Sequence, residues 1–316
     1  MKGSALASPP SRLDDLVTLA AKAPKVNAAI AHPCDPGSLE AAAQAARLGF
    51  ITPILLGPEA KVLAAAEAAG VDISPFQLLS TAHSHASAAE AVRMVRAGEA
   101  EILVKGSLHT DELMAEVVNA QSGLRTERRV SHVFVIDLAS YPRLLLITDA
   151  AVNIAPTLEE KRDIVQNAID LAHAIGVARP KVAIVSAVET VTSKLASTLD
   201  AAALCKMADR GQITDGDLEG PLAFDNAVSP EAAKDKGIGG DVAGNADIIV
   251  VPDLEAGNML AKQLTFLAGA ESAGIVLGAR VPIALTSRAD TVEAKVASLA
   301  VAALLADHQQ RKAKVV

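Results

Sequence analysis

Ile248-Ile249-Val250-Val251-Pro252-Asp253-Leu254-Glu255-Ala256-Gly257-Asn258 is a β-branched run that stops at a proline, then passes two carboxylates and an amide beside a glycine. From there it enters a helix expected from Met259, with Asn258 as a candidate first cap. A strand that runs into a helix through a polar turn is the βα unit of an α/β fold. In such a fold ligands bind beyond the carboxyl ends of the strands. Leu285-Thr286-Ser287-Arg288-Ala289-Asp290 repeats the arrangement between a strand and a helix expected over 292–306. Gly220-Pro221-Leu222-Ala223-Phe224-Asp225-Asn226-Ala227 adds a third polar segment, followed by the glycine-rich Lys236-Gly237-Ile238-Gly239-Gly240-Asp241.

Outward from these segments, short β-branched runs alternate with longer alanine-rich stretches. Strands are expected at 51–56, 102–104, 133–137, 144–148, 182–186, 248–251, 274–277 and 281–285. Mostly parallel sheets flanked by helices follow from that alternation. Only Leu138-Ala139-Ser140-Tyr141-Pro142-Arg143 separates the runs at Val133 and Leu144, which fits an antiparallel hairpin. Ser87-Ala88-Ala89-Glu90 and Thr157-Leu158-Glu159-Glu160 both have the form of a capping box. Ser229-Pro230-Glu231 offers a cap, a proline at the first helical position and an acid at the positive helix end. Gly176 and Gly211 mark helix stops. The first dozen residues and Gln309–Val316 read as frayed ends.

Composition narrows the function classes. A chain of 316 residues, 51% of them hydrophobic, is long enough for two domains and too apolar for disorder. A formal charge of -8 argues against a nucleic-acid partner, and one Tyr, five Phe and no Trp leave little to stack bases on. No run reaches the roughly 20 apolar residues of a membrane span, and Met1–Pro10 lacks the apolar stretch of a secretory signal. Cys34 and Cys205 are the two cysteines, without metal-ligand spacing, which suits a reducing cytoplasm. No metal constellation is signalled.

Candidate site residues follow from position. Arg288 offers a planar, permanently charged fork for phosphate at a helix start, with Ser287, Asp290 and Glu293 beside it. An ordinary capped helix with an exposed Arg–Asp pair has the same pattern. Lys105-Gly106 follows a strand. Arg125, Arg128 and Arg129 then precede Ser131-His132, either as an anion site or as a solvated charged loop. Asp225, Glu255 and Asn258 are polar groups at helix starts, able to orient a ligand or only to cap. The glycines at 237, 239 and 240 form neither a phosphate-binding Walker loop nor a dinucleotide fingerprint.

From about His32 onward the chain resembles the phosphate acetyltransferase and phosphate butyryltransferase family. The resemblance rests on Lys105-Gly106, Leu124-Arg125-Thr126, Ser131-His132-Val133, Thr148-Asp149-Ala150-Ala151-Val152-Asn153-Ile154 and the three segments above, in the family's order. It is nearest to the acyltransferase portion of fusions between an enoyl-CoA hydratase and a phosphate acetyltransferase, here expected as a stand-alone transferase. The resemblance implies a two-domain α/β fold like that of the isocitrate and isopropylmalate dehydrogenases, with the site in the interdomain cleft. The first domain is expected over 13–150 plus 288–316 and the second over 151–287, in a cytoplasmic homodimer. It further implies reversible transfer of a short acyl group, acetyl or butyryl, between coenzyme A and phosphate, by direct attack of the CoA thiolate on acyl phosphate. Coenzyme A is then a co-substrate and no cofactor is tightly bound.

By position, Ser287 and Arg288 correspond to a family pair near coenzyme A and phosphate, with Asp290 and Glu293 as the nearby acids. Lys105, Arg125, Ser131, His132, Asp225, Glu255 and Asn258 are the expected substrate-binding residues. Where the acetyl-specific branch has an aspartate six residues beyond that arginine, this chain has Ala294. A non-catalytic acyl-CoA-binding protein and a metal- or nicotinamide-dependent dehydrogenase of the same fold are the rival readings.

Overall fold

The computed structural model describes residues 10–315. Its strands are β1 (Val26–Ala31), β2 (Ile51–Gly57), β3 (Gln77–Ser80), β4 (Ile102–Lys105), β5 (Ser131–Asp137), β6 (Leu145–Thr148), β7 (Lys181–Val185), β8 (Asp217–Leu222), β9 (Ile248–Val250), β10 (Glu271–Leu277) and β11 (Ile283–Ala284). The helices are α1 (Leu13–Ala20), α2 (Pro36–Leu48), α3 (Glu59–Ala69), α4 (Ser84–Arg96), α5 (Thr110–Val117), α6 (Leu158–Ala174), α7 (Ala196–Asp209), α8 (Phe224–Val228), α9 (Pro230–Asp235), α10 (Leu254–Leu267) and α11 (Val292–Val315). Each expected strand is present, most within one or two residues of its expected bounds.

The strands form one sheet in the order β3-β2-β1-β4-β11-β10-β5-β6-β9-β7-β8. The block from β3 to β11 is parallel throughout, as is the block from β6 to β8. Between them lie antiparallel pairings, β11 with β10, β10 with β5, and β5 with β6, the last being the expected hairpin. The interior parallel strands β1, β2, β4, β7 and β9 are mostly buried and largely apolar, as strands inside a parallel sheet tend to be. Alanine-rich α11 is buried along most of its length and packs on α1, α2 and β10.

Local chemistry sets the helix ends. Asp35 accepts from the backbone N–H of Ser38 at 2.9 Å and opens α2 ahead of Pro36; Gly49, at φ 92°, closes it in the left-handed conformation. Thr157 and Glu160 satisfy each other's backbone N–H groups at 3.3 and 2.9 Å, so the capping box expected there is present. Removing it by Thr157→Ala is expected to cost about 1 kcal/mol, read as a lower midpoint in urea with an unchanged slope.

Three expectations are corrected. Ser87 does not cap α4, which begins a turn earlier with His83 accepting from the Ala86 N–H at 3.2 Å. Ser87 is instead buried inside the helix and hydrogen-bonds Thr81 at 2.7 Å. Nor does Asn258 cap α10, because Asp253 does so from five residues earlier, through the Ala256 N–H at 2.9 Å. Finally, α11 continues past Ala306 to Val315, so Gln309 to Val315 is helix. Of the N-terminal stretch read for a signal sequence and fraying, residues 1–9 lie outside the described residues. Among the described residues no helix is long and apolar enough to cross a membrane.

Candidate active site

Lys105 ends β4 and is nearly fully buried. Its Nζ donates to the carbonyl oxygens of Thr286 at 3.2 Å and Gly106 at 3.4 Å. Burial, and then the charge of Arg288, push the Lys105 pKa down from its ordinary value. A side chain on Gly106 would meet the carbonyl oxygens of Ala31 and His32 at 2.5 Å, so only glycine lets the chain leave β4 here.

The segment after β11 carries the second cation. Ser287 donates its backbone N–H to Asp290 Oδ2 at 2.7 Å and accepts at Oγ from the Ala289 N–H at 3.3 Å. Thr291 caps α11 by accepting from the Ala294 N–H at 3.2 Å, and Lys295 Nζ donates to the Asp290 carbonyl. The loop is thus braced from within while Arg288 is exposed, without an ion-pair partner among the described residues. An uncommitted guanidinium, a buried ammonium and a helix N-terminus make an anion-binding corner.

His132 is fully buried on β5 and stacks edge-on to Phe134 with ring centroids 4.4 Å apart. Burial lowers its pKa to about 4, against the opposing pull of Asp149, so the ring is neutral at physiological pH. Asp149, also buried, accepts from four donors: the backbone N–H groups of His132, Ala151 and Val152 at 3.1, 2.9 and 3.0 Å, and Asn153 Nδ2 at 2.5 Å. Asn258 donates from α10 to the Ala150 carbonyl at 3.1 Å.

Lys105, His132, Asn258, Ser287, Arg288, Asp290 and Glu293 line one cleft of about 1090 Å³. The other expected binding residues do not line it. Ser131 is fully buried and accepts from Asn167 at 2.9 Å. Arg125 is exposed and bridges to Ala279 through its backbone. Asp225 pairs with Lys236 at 3.2 Å, and Glu255 is exposed on the first turn of α10. The arginine cluster beyond Arg125 is neutralised locally: Arg128 pairs with Asp170 at 2.5 Å, and Arg129 with Glu160 at 3.0 Å.

Phe134, Thr286 and α1 residues Leu13 and Asp14 complete the walls without having been singled out. Phe134 lay in plain view two residues beyond His132, on the same face of the strand; nothing local in sequence brings α1 to the cleft. Among the described residues no three His, Cys, Asp or Glu side chains gather as a metal-binding group. Neither cysteine lines the cleft, and burial raises both thiol pKa values, Cys205 to about 11. Neither is poised as a thiolate nucleophile.

A family model described as phosphate acetyl/butaryl transferase matches residues 80–303. The chain is 62% identical over 298 residues to a phosphate acetyltransferase of Rhizobium meliloti, covering 94% of each. It is 43% identical to a phosphate butyryltransferase of Clostridium acetobutylicum, over 90% of this chain and 94% of that one. The crystal structure of a branched-chain phosphotransacylase from Enterococcus faecalis V583 superposes with a TM-score of 0.78 at 31% identity, covering 89% of this chain and 99% of that one.

Proposed function

Because this chain belongs to the phosphate acetyl/butyryl transferase family, we propose that it transfers a short acyl group, acetyl or butyryl, reversibly between coenzyme A and inorganic phosphate in the cleft described above. The observation that carries this reading is the meeting of Arg288, Lys105 and the α11 N-terminus at one end of the cleft.

Arg288 grips the phosphate, or the phosphoryl end of acyl phosphate, as a bidentate fork. Ser287 and the first turn of α11 add donors, and Lys105 adds fixed positive charge. Holding phosphoryl group and thiol in line with the acyl carbon supplies the orientation that a direct transfer needs. A CoA thiol of ordinary pKa near 8.5 is mostly protonated at neutral pH, so a base assists its attack. Asp290 is committed to the Ser287 N–H, whereas Glu293 lines the cleft one turn away and holds no hydrogen bond among the described residues. Glu293 therefore takes the base role in the absence of an acid at Ala294.

In this reading coenzyme A is a co-substrate and no cofactor is resident. The protein is a cytoplasmic homodimer with no nucleic-acid or membrane partner. The cleft lies between a domain of residues 13–150 plus 288–316 and one of residues 151–287. In support, Lys105, His132 and Arg288 face it from the former, Asn258 and Lys262 from the latter.

The test is phosphate-dependent thiol release from acetyl-, propionyl-, butyryl- and longer acyl-CoAs, with no metal or nicotinamide added. Release with a clear chain-length optimum is expected. Silence across the panel from folded protein would remove the transferase reading.

A further inference from the structure

Two ring nitrogens at the floor of the cleft are unaccounted for. Nδ1 and Nε2 of His132 are both buried without a hydrogen-bond partner among the described residues. A neutral imidazole carries one N–H donor and one acceptor. Leaving both unmet in the interior is costly and calls for an explanation.

The surroundings hold the ring in place. The His132 backbone N–H donates to Asp149 at 3.1 Å and its carbonyl accepts from Thr148 Oγ1 at 2.9 Å, fixing the residue from both sides. Phe134 meets the ring edge-on, with the two planes at 71°. Room for the imidazole comes from Gly274, where a Cβ would lie 3.2 Å from Nε2 and 2.4 Å from the Leu285 carbonyl. Nε2 therefore sits beside the backbone that leads directly into Ser287 and Arg288. Neither nitrogen is open to water here, so contact requires the floor of the cleft to part slightly as an acyl group enters.

We infer that His132 is a catalytic residue whose ring N–H donates to the acyl carbonyl oxygen during transfer. This rests on the transferase reading and deepens it. In the thiolysis direction the CoA sulfur bonds to the acyl carbon, and the carbonyl π pair moves onto oxygen, where the His132 N–H holds it. The tetrahedral adduct then collapses, and phosphate leaves with the electron pair of its bond to carbon. The thiol proton goes to the base, while His132 keeps its own. A donor positioned for that oxygen acts more strongly on the transition state than on the ground state.

His132→Phe and His132→Gln test this, with kcat and KM from thiol release, coenzyme A binding by calorimetry and thermal melting measured on each. Phe fills a similar space and removes both unmet polar atoms. That variant is expected to melt no lower than the parent and to bind coenzyme A within about threefold, yet to lose about 10²–10³-fold in kcat. Gln restores an N–H donor and is expected to recover at least about tenfold of that loss. A Phe variant turning over within threefold of the parent would overturn the assignment, as would a loss confined to KM. If the Phe variant failed to fold, the Gln variant decides, because parental melting with kcat as low as a donor-free site also overturns it. An inactive parent would count against the transferase reading instead.

Discussion

Arg288→Ala is expected to lower kcat for phosphate-dependent thiol release by about 10²–10³-fold, while the melting temperature stays within about 2 °C of the parent. The separation of the two effects follows from how this side chain is held. Its guanidinium has no ion-pair partner among the described residues, so truncation breaks nothing that stabilises the fold. The charge is nonetheless placed where a buried ammonium already lies, and its proximity is felt in the lowered Lys105 pKa. Two cations held near each other repel, here only partly offset by Asp35 and Asp290, and an anion that joins them relieves the repulsion. Arg288→Lys retains the charge but loses the planar fork, so it should recover only part of the activity. Steady-state kinetics beside a melting curve reads both quantities. Near-parental turnover in the alanine variant would detach phosphate binding from this residue.

Asp149→Ala should do the reverse, acting on the fold first and on activity through it. Four donors converge on one buried carboxylate, and alanine leaves them without an acceptor. An unmet buried donor costs about 1–3 kcal/mol. Even with partial relaxation the variant is expected to lose about 3 kcal/mol or more, or about 6 °C in melting temperature for a chain of this size. Asp149→Asn keeps one acceptor oxygen for the Ala151 and Val152 N–H groups but turns an amide toward His132 and Asn153, so it should fall between. Calorimetric melting decides: an alanine variant within 2 °C of the parent would show that the carboxylate is dispensable.

These two residues differ in how visible they are in the sequence. Arg288 sits after an apolar strand and before a capped helix, and that position alone brings it to the cleft; Lys105 is visible for the same reason. Asp149 lies in a segment that matched a family pattern, but its four-donor role depends on β5 folding back beside β6. The strands missed in sequence are explained by where they sit. β3 and β8 are the outermost strands of the sheet, half-exposed, and β8 contains Gly220-Pro221; edge strands give little apolar signal and tolerate proline. β1, Val-Asn-Ala-Ala-Ile-Ala, is interior but rich in alanine, which favours helices in isolation and becomes strand only by tertiary pairing.

Charge density left its alternatives open for a related reason. Arg128 and Arg129 form a cluster in sequence, but α6 brings Glu160 and Asp170 to meet them, and a one-dimensional reading has no access to that partner. Asp225 is likewise answered by Lys236. Ser87 matched a cap pattern because the spacing of Ser and Glu recurs inside helices, where the hydroxyl turns inward instead.

The two-residue strand β11 joins β4 to β10, and the Lys105–Thr286 hydrogen bond that accompanies it spans 181 positions of chain. Asn258 reaches Ala150 across another 108. The cleft is therefore not a portable module. No contiguous stretch could be excised, or grafted into another scaffold, with the site intact. Change is confined accordingly: the backbone at this junction is held by contacts from distant parts of the chain, whereas a cleft-facing side chain that neither braces it nor takes part in the transfer, such as Ala294, has room to vary.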